Sequence, residues 1–328
     1  MRPATSPGGL SLCAFWRALF VSSTSCELTP RHPPRSVCLR LAVFAFLRAF
    51  LRAFLQSALN VFPYPWLMCT VQLGCGVVMM LALWATGIVK APKVDLKFIK
   101  ALLPVAAFHL VNHVGVCFAL SKSAVGFTHV LKAAEPFYSV TISALLGTFY
   151  SPLVYASLVP IVAGISLAVV TELNFSMQAF IATNAANVST VLRTIISKRM
   201  LKDYDIKGIN LYAWISIVAL AQLVPLAVMI EGHKWQAGWQ AGVAAVGVPQ
   251  LLHLVLASGV LYHLYNQLSY QTLDSVSPVS FSIANALKRV AIIGSAVLFF
   301  GTPMTPLNAF GSALAILGTY LYSRAKLL

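Results

Sequence analysis

After residue 40 the chain is a succession of apolar runs at 41–60, 65–89, 98–120, 125–146, 152–170, 177–196, 211–230, 249–268, 278–300 and 307–322. A bilayer core about 30 Å thick is crossed by roughly 20 helical residues. Inside it every backbone N–H and C=O needs an internal partner, which a helix supplies within its own segment. The runs therefore predict an all-α polytopic membrane protein of about ten transmembrane helices. Composition agrees: 59% of the residues are hydrophobic and 9% charged, which excludes an ordinary soluble globule.

The first run carries Arg48 and Arg52 on one face, so it reads either as a span or as an amphipathic surface helix that leaves nine spans. Loop charge favours ten. Lys90, Lys93, Lys97 and Lys100 follow the second run, and Lys198, Arg199, Lys202 and Lys207 follow the sixth. Arg324 and Lys326 lie in the tail. With an even span count all these loops share one side with both termini, as the positive-inside rule requires. Residues 1–40 hold five arginines (Arg2, Arg17, Arg31, Arg35, Arg40) against Glu27 alone, among many Ser, Thr and Pro. That composition suits an organelle transit peptide. The expected organisation is a targeting region at 1–40 and a transporter domain at 41–328.

A weak internal repeat divides that domain into 41–171 and 175–325. Span five contains Val162-Ala163-Gly164-Ile165 and span ten Ile316-Leu317-Gly318-Thr319, while spans four and nine share Leu131-Lys132 and Leu287-Lys288. Five spans is an odd number, so the second half enters the membrane upside down. Inverted repeats with binding residues at the midplane are a common carrier architecture.

The chemistry concentrates where charge is least tolerable. In 277–301, an apolar and small-residue stretch, Lys288 and Arg289 stand side by side near the middle. A charge at the bilayer centre costs about 2.5–3.5 kcal/mol on insertion scales, so the pair must face a polar cavity or an anion. Lys132 occupies the matching place in span four. It either pairs with Glu135 at i,i+3 or converges with Lys288 and Arg289 on one cavity. An organic phosphate would neutralise such a cluster, with arginine as a planar fork and lysine as a point charge. An empty cluster would be costly to occlude, which predicts obligatory exchange of one phosphate-bearing anion for another.

Other intramembrane polar groups have two readings. His113 and Tyr265 either contact phosphate or sugar hydroxyls or are satisfied core residues. His109 lies at i,i+4 from His113, but no carboxylate accompanies the pair as in a metalloprotease helix, so no metal ligand set is expected. Arg193, near the end of span six, is expected to snorkel toward Lys198 and Arg199. His129, His253 and His263 read as packing or interface residues. Cys69, Cys75 and Cys117 read as small apolar fillers, with no Cys-x-x-Cys pair and no zinc-type spacing. No solvated basic stripe exists for nucleic acid, despite 23 basic against 8 acidic residues. No catalytic constellation appears either, so neither an enzyme nor a cofactor is expected.

Together these residues resemble the plastid phosphate translocators of the drug/metabolite transporter superfamily. The resemblance runs from Phe62-Pro63-Tyr64-Pro65-Trp66 to Tyr322-Ser323-Arg324. Its most specific pieces are Phe127-Thr128-His129 with Lys132 and Glu135-Pro136, the run Tyr262-His263-Leu264-Tyr265-Asn266-Gln267, and Asn285 with Lys288-Arg289. It implies ten helices in two inverted halves and strict counter-exchange of inorganic phosphate for phosphorylated carbon compounds. The implied setting is the plastid inner envelope with both termini in the stroma, the protein being a monomer or homodimer in membrane lipid. The family's phosphate-binding residues fall on Lys132, Lys288 and Arg289, and its histidine and tyrosine on His113 and Tyr265. Triose-phosphate and phosphoenolpyruvate members usually carry histidine where this chain has Phe281, and triose members a hydroxyl at Val116. Those two positions point to the hexose- and pentose-phosphate branches. Triose-phosphate or phosphoenolpyruvate exchange, or a nucleotide-sugar-type endomembrane carrier, is the alternative. The chain departs from the family at Leu55-Gln56-Ser57, where Asn-Lys-Lys is usual, and at Ala284, usually glycine.

Overall fold

The computed structural model describes residues 51, 54–173, 175–275 and 305–326. The region 1–40, most of span one and all of span nine, with Phe281, Ala284, Asn285, Lys288 and Arg289, lie outside the described residues. Those described are helical throughout, with no strand among them. In chain order the helices are α1 at 54–61, α2 Pro65–Ala85, α3 Leu96–Lys122, α4 Val125–Leu131, α5 Glu135–Leu145 and α6 Pro152–Val170. They continue with α7 Met177–Asp203, α8 Gly208–Glu231, α9 Trp235–Val246, α10 Val248–Ser275 and α11 Pro306–Ala325. Among the described residues five segments are long and apolar enough to cross a membrane: Pro65–Ala85, Leu96–Lys122, Pro152–Val170, Gly208–Val246 and Val248–Gln271.

Local chemistry sets the helix starts. Pro65, Pro152 and Pro306 open α2, α6 and α11, where a missing N–H costs nothing. Asp95, Ser176 and Thr305 cap α3, α7 and α11 through side-chain oxygens that accept from Phe98 N, Ala179 N and Asn308 N. Span four departs from expectation. It is broken into α4, a 3-10 turn at Lys132–Ala134, and α5. Pro136 has no N–H to give the Lys132 carbonyl, so that carbonyl takes the Glu135 N–H instead and the turn tightens. A second departure is α9, a helix in what reads as the connection between spans seven and eight. Its Gly238 lies against the Tyr64 ring, where a Cβ would overlap the ring, and Gly242 lies against Leu251.

The exterior is as apolar as the interior, and the apolar core also holds buried polar groups. Large apolar side chains point outward, among them Val170 (82% exposed) and Met229 (77%), while Gln72, His109, Lys132 and Asn187 are buried inside. A lipid-facing exterior and a polar seam within the apolar core account for both observations.

Two helix pairs run antiparallel. Trp84 Nε1 at the end of α2 donates to Asn210 Oδ1 at the start of α8 (3.1 Å), while Glu231 Oε2 at the end of α8 accepts from Trp66 N and Leu67 N (both 3.1 Å). In α6 and α11, Asn308 Nδ2 donates to Ala168 O (3.1 Å) and Glu172 Oε2 (3.2 Å). At the opposite end of that pair Lys326 Nζ sits 5.0 Å from the Tyr150 ring centroid. The α6–α11 contact is backbone to backbone. A Cβ on Gly164 would stand 2.6 Å from Gly311 O, and one on Gly311 2.8 Å from Gly164 O, as small-residue seams allow.

The basic loops gather at one end of the bundle. Phe98, at the start of α3, packs edge-on against Tyr204 at the end of α7 (5.1 Å). Past the span expected at 177–196, burial and the Lys326 and Lys202 ammoniums push Lys198 below the usual lysine range.

Candidate functional site

The 3-10 break leaves Lys132 buried (8% exposed) and facing α3 and α7. Its Nζ donates to Asn112 Oδ1 (3.3 Å) and Asn187 Oδ1 (3.4 Å). Asn187 also repairs the break, for its Nδ2 donates to the Leu131 carbonyl at 3.0 Å. Asn112 Oδ1 lies 2.7 Å from Thr190 Oγ1. Two neutral amide oxygens thus take part in holding the Lys132 ammonium inside the bundle.

One residue along α3 from Asn112, His113 stacks on the Tyr262 ring of α10 at 4.0 Å and 8°. Its Nε2 meets Gln72 Oε1 of α2 at 2.7 Å, and Gln72 Nε2 donates to Ser258 Oγ of α10 at 3.2 Å. One turn earlier, His109 Nδ1 lies 2.6 Å from Arg193 Nη1 of α7. A guanidinium only donates, so Nδ1 is the acceptor and the neutral ring carries its proton on Nε2. That proton faces Tyr262 Oη at 3.2 Å. Arg193 is thus turned inward, its guanidinium 5.7 Å from the Tyr270 ring centroid and within electrostatic reach of Tyr212, Tyr262 and Tyr265. The snorkelling expected for Arg193 does not occur. His109 and the Tyr270 ring hold the cation inside the bundle, with Nε buried and without a hydrogen-bond partner.

Of the residues expected to form a site, Lys132 bonds Asn112, the chain neighbour of His113, while His113 itself meets Gln72 and Tyr262. Tyr265 is buried and reaches the seam through Arg193. Val116 is buried one turn beyond His113 (4% exposed). Phe281, Lys288 and Arg289 lie outside the described residues. Asn112, Asn187 and Gln72, polar groups beside Lys132 and His113, were not singled out in the sequence, and Arg193 was placed at the loop instead. A signal existed for Asn187, which belongs to a polar stripe on α7 that runs Thr183, Asn187, Thr190, Thr194 and Ser197 at helical spacing. His129 and His263 are buried, as packing residues are, while His253 is exposed and packs edge-on against Phe54 at 5.6 Å.

A cationic, amide-lined seam inside a lipid-facing helical bundle is the setting in which the family comparison decides. The model of the Triose-phosphate Transporter family matches residues 37–323. The chain belongs to that family. Among its relatives, the chloroplastic xylulose 5-phosphate/phosphate translocator of Arabidopsis thaliana is 50% identical over 272 residues, 82% of this chain and 65% of the relative. This chain thus spans just under two thirds of that relative's length. Glucose-6-phosphate/phosphate translocator 1 of the same plant is 47% identical over 83% of this chain and 70% of its own length. The triose phosphate/phosphate translocator of Spinacia oleracea is 38% identical over 86% and 70%. A crystal structure of another protein superposes with TM-score 0.55 at 17% identity, covering 89% of this chain and 99% of that one. That last likeness concerns the fold alone.

Proposed function

We propose that this protein is an antiporter that exchanges inorganic phosphate for a hexose or pentose phosphate across the plastid inner envelope, by alternating access, and that it is not an enzyme. The observation that bears most weight is Lys132, a buried ammonium on a broken helix, held by two amide oxygens and no farther than 3.4 Å from either. In this reading Lys132, Lys288 and Arg289 grip the phosphate, while His113, Tyr265 and Arg193 meet the remainder of the substrate. Phe281 and Val116 set selectivity. The greater identity to the xylulose and glucose phosphate relatives (50% and 47%) than to the spinach triose phosphate relative (38%) favours the larger sugars.

The architecture we propose has ten helices in two inverted halves, 41–171 and 175–325. Equivalent helices in such halves run in opposite directions where they meet, and the antiparallel α2–α8 and α6–α11 pairs support this. The basic end of the bundle then faces the stroma with both termini, after a transit region at 1–40. Mechanistically, a bound phosphate dianion offsets cations that would otherwise be occluded uncompensated, so the loaded carrier switches sides and the empty one does not. Counter-exchange in liposomes against three-, five- and six-carbon phosphates tests the reading. Exchange of pentose or hexose phosphate with preloaded phosphate is expected, with near-zero uptake into phosphate-free liposomes. Rapid uptake into phosphate-free liposomes would refute antiport, and exchange of triose phosphates alone would refute the branch.

A further inference from the structure

Cys69 of α2 and Cys117 of α3 meet His113 at the α2–α3 contact, and their ligand atoms all lie within 4.8 Å of one another. All three are buried, at 0%, 1% and 3% exposure. His113 and Cys117 are one helical turn apart on α3, so both project to the same face. Cys69 comes from the neighbouring helix, which is why no sequence spacing announces the cluster. The second observation is the state of the imidazole. Its Nε2 is engaged by Gln72 Oε1 at 2.7 Å, while its Nδ1 is buried with no hydrogen-bond partner. An amide oxygen accepting from Nε2–H leaves the lone pair on Nδ1. This is how an outer hydrogen bond orients a metal-binding histidine.

We propose that Cys69, His113 and Cys117 form a binding site for a soft divalent cation of the zinc and cadmium class. Thiolate and imidazole donors suit such ions, and two thiolates with one imidazole leave a fourth position open. Metal–sulfur bonds of about 2.3 Å and a metal–nitrogen bond of about 2.0 Å at tetrahedral angles set the donors roughly 3.5–3.8 Å apart. Atoms already within 4.8 Å need to close by about 1 Å, which side-chain rotation provides. On binding, each thiol releases its proton to solvent, two metal–sulfur bonds and one dative bond from Nδ1 form, and no electron is transferred. Two thiolates cancel the divalent charge, so the loaded site is neutral inside the bundle. If the exchange reading holds, occupancy also removes His113 from substrate contact, and the cation acts as an inhibitor.

The test uses the purified full-length protein and cadmium ion alone, with no phosphate present, so its failure leaves the exchange reading untouched. Cys13, Cys26, Cys38 and Cys75 are first replaced by serine. Cadmium titration is then followed by thiolate-to-metal charge-transfer absorption, by bound metal content and by proton release. One cadmium per chain with two protons released is expected. Cys69→Ser or Cys117→Ser should weaken binding by at least about tenfold, and Gln72→Leu by about 10- to 100-fold through the lost outer hydrogen bond. Absence of a charge-transfer band, or a band that survives the Cys69→Ser/Cys117→Ser pair, overturns the proposal. Should a serine variant misfold, maleimide labelling with native Cys69 and Cys117 decides instead. Cadmium must protect both thiols together, and labelling indifferent to cadmium overturns the site.

Discussion

Replacing Lys132 by methionine isolates its charge from its shape. The side chain keeps its length and apolar stem and loses only the ammonium. Its neighbours keep partners, since Thr190 Oγ1 stays at Asn112 Oδ1 and Asn187 Nδ2 stays on the Leu131 carbonyl. The fold should therefore survive. The loss falls on the anion. A hydrogen bond to a charged group contributes about 1.5–3 kcal/mol, and each 1.4 kcal/mol is a factor of ten, so phosphate affinity should fall by roughly 10- to 150-fold. The same number predicts a melting experiment. At a phosphate concentration about 100 times its dissociation constant, the unaltered protein gains about 2.7 kcal/mol from binding. A variant about 100-fold weaker gains only about 0.4 kcal/mol from the same logarithm. The phosphate-induced rise in melting temperature should thus nearly vanish, while the phosphate-free melting temperature is unchanged or higher. A Lys132→Met protein with a full phosphate shift and unaltered exchange would refute the role of this lysine.

Three further outcomes are expected. Lys288→Ala should abolish exchange in liposomes while the protein remains folded by circular dichroism, and exchange at the unaltered rate would remove Lys288 from the site. Arg193→Leu leaves His109 Nδ1 without its donor, and exchange should fall at least about tenfold, as for loss of a charged hydrogen bond. A merely snorkelling arginine would leave it unchanged. Gly164→Val places a side chain where a Cβ would already stand 2.6 Å from Gly311 O. Because backbone cannot yield, it should destabilise by about 1–3 kcal/mol or more, read as a lower thermal-inactivation temperature with phosphate affinity unaltered among surviving molecules.

Much of this was legible in the residues. Most described helices begin and end near the expected runs because helix length is a local property, and Pro65, Pro152, Asp95 and Ser176 mark starts with short-range chemistry. Only five segments among the described residues, though, are long and apolar enough to cross a membrane. The helix at Trp235–Val246 was not legible. Its small residues read as a connection, and what holds it is tertiary: Gly238 fits under Tyr64, Gly242 under Leu251, and Trp235, Val243 and Val246 pack on the core. The break at Lys132 was present in the sequence as a proline four residues on, but an apolar run hides a missing hydrogen bond. Arg193 misled because snorkelling depends only on distance to the nearest polar loop. Its true position depends on His109, 84 residues away. The Cys69–His113–Cys117 cluster escaped for the same reason, since it joins two helices rather than one spacing.

Asn187 deserves a mechanical reading. Its Oδ1 receives the tip of Lys132 and its Nδ2 holds the carbonyl of Leu131 at the base of the same side chain. One amide on α7 therefore brackets the lysine at both ends. Any tilt of α7 would carry the ammonium with it, and the 3-10 turn before Pro136 is the point at which the chain could bend. The position of the charge and the posture of the helix become a single coordinate.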